Sequence, residues 1–145
     1  MPFRFSLASV LQLRKSIERR EEVSLQTAQL EVARVRRRID ELTEEMAKAS
    51  QERGRALQNS ISANRLQSMQ VEIDAAIEAK QTLVETLQTL QLQRDIQVKI
   101  YKDAHRGRRV LSELQAQKRN LYEQEELRKH QKQLDEIFVA RWLRS

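Results

Sequence analysis

The chain has 145 residues, of which 33% are charged and 4% aromatic, with two glycines, one proline and a net charge of +6. Such a composition reads as long helices meeting along a thin seam, and it excludes a compact domain with a sizeable core. The absence of cysteine excludes disulfide and thiolate chemistry and fits the cytoplasm, and no run of ~18 apolar residues is present to span a membrane.

Pro2 and Phe3 open the chain, and the first residues lack the apolar core and cleavage site of a signal peptide. Ser6 is a suitable N-cap for a first helix over about residues 6–58. Leu7, Val10, Leu11 and Ile17 begin a helical pattern that Arg14, Glu18, Glu21 and Glu22 interrupt. From Leu25 the spacing becomes regular. Leu25, Ala28, Val32, Val35, Ile39, Leu42, Met46 and Ala49 form a row at 3-4 spacing, separated mostly by charged and polar residues. At ~3.6 residues per turn this is a narrow seam, sized to pair with one other helix.

Gly54 weakens the helix, and Asn59-Ser60-Ile61-Ser62-Ala63-Asn64 is the one cluster of loop formers. The spacing therefore predicts a turn over 59–64. Asn64 serves as N-cap of a second helix over about 65–143, with Gln67 as its capping-box partner. Leu66, Met69, Ile73, Ala76, Lys80, Leu83, Leu87 and Leu90 repeat the 3-4 row. After Leu90 the row shifts phase to Leu92, Ile96 and Ile100, the kind of slip that locally adjusts coiled-coil winding. Gly107 interrupts neither helix nor pattern, and Leu127, Leu134 and Ile137 carry a last row towards Trp142.

A short turn between two seams implies antiparallel neighbours. The fold expected is all-α: an antiparallel two-helix coiled-coil hairpin over 1–145, with the second helix the longer. At ~1.5 Å rise per residue the helices would reach roughly 80 and 120 Å. The overhang, about 119–143, then has no partner within the chain. Phe3, Phe5, Tyr101, Tyr122, Phe138 and Trp142 all lie away from the turn. They either anchor a docking end near the termini or staple the open end shut.

Catalytic signals are absent. His105 and His130 stand 25 residues apart, ~37 Å along one helix, too far to share a metal. Glu44-Glu45 and Glu125-Glu126 are paired only in sequence, without the dry pocket that acid–base work needs. No cofactor and no small-molecule substrate is expected. Arg34, Arg36, Arg37 and Arg38, and Arg106, Arg108 and Arg109, read as exposed flanks pairing with Glu31, Glu41, Glu45 and Asp103. Residues 1–60 carry 12 basic and 9 acidic side chains, 61–118 carry 9 and 7, and 119–145 carry 6 and 5. The excess is spread thinly, whereas a nucleic-acid arm would concentrate it, so no nucleic acid is expected as a partner; acidic protein partners would suit this charge equally well. A basic nucleic-acid-binding coiled coil and a homo-oligomeric scaffold are the alternatives from other classes.

The opening Phe3-Arg4-Phe5-Ser6-Leu7 with Val10-Leu11 and Arg14, the turn Ile61-Ser62-Ala63-Asn64-Arg65, and the ending Leu134-Asp135-Glu136-Ile137 with Arg141 resemble the bacterial flagellar FliJ family over the whole length. The resemblance implies a non-enzymatic coiled coil of the flagellar type III export apparatus, serving flagellum biogenesis and motility. It also implies three partners: the hexameric export ATPase, the export gate membrane protein and export chaperones. The chain would lie at the cytoplasmic face of the inner membrane. Leu134, Asp135, Glu136, Ile137 and Arg141 would dock in the ATPase ring. Met69, Ile73 and Ala76 would face the gate, although Glu72 and the alanines make that face small and polar.

Overall fold

The computed structural model describes residues 2–144. It contains two α-helices, α1 (Ala8–Gln58) and α2 (Ala63–Arg144), paired as a hairpin whose second helix is the longer. Contacts gather in two units, Glu21–Tyr101 and Met1–Arg20 with Lys102–Ser145.

The unit Glu21–Tyr101 contains the turn. Between 25 and 49 the only residues of α1 shielded from solvent are the eight of the seam row, with Val32 and Leu42 buried and the rest half-buried. On α2 the row Leu66, Met69, Ile73, Ala76, Lys80, Leu83, Leu87 and Leu90 is shielded in the same way, with Ile73 buried. Each helix thus covers the narrow apolar edge of the other, which is the arrangement a 3-4 repeat permits. Lys80 fits because its aliphatic stem can lie along the seam while its amine reaches water.

The turn begins where α1 closes on an Asn59 amide that donates to the Arg55 carbonyl at 3.3 Å. The cap of α2 is Ser62 and not Asn64. Ser62 Oγ accepts from the Arg65 amide at 3.3 Å and its carbonyl accepts from the Leu66 amide at 3.2 Å. Those bonds place Ser62 at the N-cap and Asn64 inside the first turn.

Past Leu90 the row does not slip. The row continues in phase through half-buried Arg94, Gln97 and Tyr101, with Gln91 and Val98 half-buried beside it, while Leu92, Ile96 and Ile100 are exposed. The phase persists because polar groups fill it: Gln97 Nε2 donates to Glu21 Oε2 at 2.7 Å and to the Glu21 carbonyl at 3.1 Å. A satisfied polar contact holds helices together without an apolar residue at that position.

In the other unit, Phe5, Leu11 and Ala104 are buried, and the Phe3 and Tyr122 rings meet with centroids 5.6 Å apart at 44°. Helix α1 begins at Ala8 and not at Ser6, which sits in a turn. The Ala8 amide donates to the Phe5 carbonyl at 3.1 Å and the Leu11 amide to the Leu7 carbonyl at 2.8 Å. Burial of Phe5 therefore fixes how the chain enters the helix. Helix α2 runs through Gly107 unbroken, with Arg14 against it: a Cβ added there would stand 3.5 Å from the nearest guanidinium nitrogen.

Candidate functional site

The last 22 described residues of α2, 123–144, are all exposed. Tyr122, seated on Phe3, is the final residue of α2 with appreciable cover. Local ion pairs line the start of this arm, Arg119–Glu123 at 3.7 Å and Lys129–Glu126 at 3.9 Å. Exposed pairs of this kind keep a helix soluble and contribute little to stability. Leu127 is the one large aliphatic residue between Glu123 and Gln133.

The tip is different. Leu134, Ile137, Phe138, Val139, Ala140, Trp142 and Leu143 fall within ten residues, and Phe138, Trp142 and Leu143 are about seven-tenths exposed. At ~100° per residue, Leu134, Ile137, Phe138 and Trp142 lie on one side of the helix with Arg141. Val139, Ala140 and Leu143 lie on the opposite side, where with Lys132, Asp135 and Glu136 they line a shallow groove of about 370 Å³. A helix that is apolar around most of its circumference is built to be enclosed. The cations Arg141 and Arg144 in its last turn suit the negative end of the helix dipole.

The aromatic residues thus divide. Phe3, Phe5 and Tyr122 close the open end of the helix pair, whereas Phe138 and Trp142 stand exposed on the arm. The family-implied docking residues Leu134, Asp135, Glu136, Ile137 and Arg141 all lie on the exposed tip. The gate-facing candidates do not share that accessibility. Ile73 is buried, and Met69 and Ala76 are half-buried in the row that pairs with α1. Their covered surface is used in helix pairing; the large exposed aliphatics beside them are Val71 and Ile77.

One polar constellation lies in the unit of the termini. Arg108 Nε donates to Glu18 Oε2 at 2.6 Å, His105 Nδ1 lies 3.2 Å from Glu18 Oε1, and Arg108 Nη1 donates to Ser112 Oγ at 3.5 Å. The Arg108 bond, aided by His105 and opposed by desolvation, holds the Glu18 carboxyl below its usual range. A carboxylate so stabilised is a poor proton carrier, and the cluster reads as structural. Sequence reasoning missed it because Glu18 and Arg108 looked like solvated charges.

Of the arginine clusters, Arg38 pairs with Glu41 at 3.2 Å and Glu45 at 3.5 Å, and Arg109 with Glu113 at 3.0 Å. Arg34, Arg36 and Arg37 are exposed. Among the described residues no group of three or more histidine or acidic side chains is arranged to hold a metal, and no helix is long and apolar enough to cross a membrane.

Compared with known families, the chain matches the family described as "Flagellar FliJ protein" over residues 3–145. No curated protein and no solved structure matches it.

Proposed function

This chain belongs to the flagellar FliJ family, a component of the flagellar export apparatus, and from that premise we propose that it docks by its α2 tip in the ring of the export ATPase. The supporting observation is the exposed arm whose last ten residues carry apolar side chains around the helix. A flat partner would cover one side of such a tip; a ring encloses it. The action is mechanical and non-enzymatic. A rod seated in a ring biases its states to the extent that it contacts them differently.

The helix pair would then present its outer surfaces to the export gate and to export chaperones at the cytoplasmic face of the membrane. A gate contact on α2 near the turn would fall to the exposed Val71 and Ile77. Binding of the gate's cytoplasmic part by a Val71→Asp variant as tight as by the native chain would move that contact elsewhere.

The test of the docking reading is an assay of purified export ATPase with the full chain and with a chain ending at Glu123, which keeps the Phe3–Tyr122 contact and removes the bare arm. The full chain should promote ring assembly and turnover, and the shortened one should not. Equal effects from both would sink the reading.

A further inference from the structure

On α2 between Leu90 and Tyr101 the expected polarity is largely inverted, Val98 being the one aliphatic residue between them that is half-buried. Arg94 and Gln97 occupy the row that faces α1, while Leu92, Ile96 and Ile100 are 66%, 58% and 43% exposed. The inward polar groups have been given partners: Gln97 bonds Glu21 across the pair, and Arg94 pairs with Asp95 at 3.1 Å. A sequence selected for helix pairing alone would place the aliphatic residues inside. Local departures of this kind, consistent over several turns, mark surfaces with a function.

The three aliphatics recur at four-residue spacing and make a ridge about 12 Å long, suited to packing against another helix. The same face is charged in order. Glu78, Glu85, Leu92 and Lys99 succeed one another at seven-residue spacing, and all four are exposed. Between them, the Thr82 and Thr89 hydroxyls donate to the Glu78 and Glu85 carbonyls at 3.1 and 3.3 Å. Those donors are occupied within the helix. The surface is therefore acidic towards the turn and aliphatic further on, with Lys99 standing within the ridge beside Ile100.

We propose that this face docks an amphipathic helix of another protein, with aliphatic residues at i, i+4 and i+8 and Lys or Arg at the end lying over Glu78 and Glu85. With Asp74 and Asp95 also exposed on this side, four acidic residues stand against Lys99, so an anionic membrane surface would be repelled. The surface is separate from the α2 tip and does not depend on ring docking.

The probe is a synthetic helical peptide with Leu at i, i+4 and i+8 and Lys at one end, compared with the same peptide carrying Glu in place of Lys. Binding to the full chain is read by fluorescence anisotropy. The Lys peptide should bind the native chain and lose about tenfold or more on the Leu92→Gln/Ile96→Gln/Ile100→Gln variant, with helicity unchanged. A Glu78→Gln/Glu85→Gln variant, which leaves the ridge intact, should remove the preference for Lys over Glu. The proposal is overturned if the Lys peptide fails to bind, if it binds native and ridge variant alike, or if it shows no preference over the Glu peptide. Sedimentation showing that the native chain dimerises through the ridge would also overturn it, by making a second copy the occupant.

Discussion

Arg108 on α2 closes on Glu18 of α1 with Nε 2.6 Å from Oε2, a charge-assisted bond between side chains about one quarter and one sixth exposed. The carboxyl is held below its ordinary range by this bond first and by His105 after it. A depressed carboxyl contributes stability above its unfolded pKa, and that contribution is lost as pH falls through the folded value. Replacing Glu18 by Gln should therefore lower Tm at neutral pH, by an amount corresponding to about 1–2 kcal/mol. The difference from the native chain should shrink on acidification below the usual carboxylate range. Thermal melts of both chains across pH check this; a gap that widens in acid would refute the assignment.

Leu42 and Leu30 lie on the same helix with opposite environments: Leu42 is 5% exposed in the seam and Leu30 is 68% exposed. Leu42→Ala should cost about 2–3 kcal/mol through lost burial and the cavity left behind. Leu30→Ala should stay within about 0.5 kcal/mol, as surface changes do. Chemical denaturation of the two variants separates them, and equal losses would mean that the seam is wrongly placed.

Gly54 and Gly107 both sit inside helices without a conformation that requires glycine. A Cβ at Gly54 meets nothing within 4 Å, and at Gly107 it meets Arg14 at ordinary contact distance. Each Gly→Ala change should stabilise by up to about 1 kcal/mol through helix propensity. Melting temperatures of the two single variants are the check, and a drop at Gly54 would show that the end of α1 needs to bend there.

Much of this architecture was legible in the sequence because apolar periodicity and inward facing coincide between Leu25 and Leu90. The turn was legible from its loop formers, although Ser62 and Asn64 are both good caps and only the backbone chose between them. Beyond Leu90 the two signals part. Leu92, Ile96 and Ile100 carry the apolar pattern on the outside, while Gln97 and Arg108 carry the pairing on the inside. A polar residue bonded across a seam looks the same in sequence as one facing water, so the phase appeared to slip. The exposure of the tip was readable from helix lengths alone; that its apolar residues surround the helix needed the geometry.

The role assigned to the tip is tested most directly by an Ile137→Ser/Phe138→Ser/Leu143→Ser variant of the full chain, added to purified export ATPase beside the native chain. These side chains are exposed, so helicity and melting should not change. The account predicts that the native chain raises assembly and turnover while the variant leaves both at the level of the ATPase alone. Equal stimulation by the two chains would contradict it.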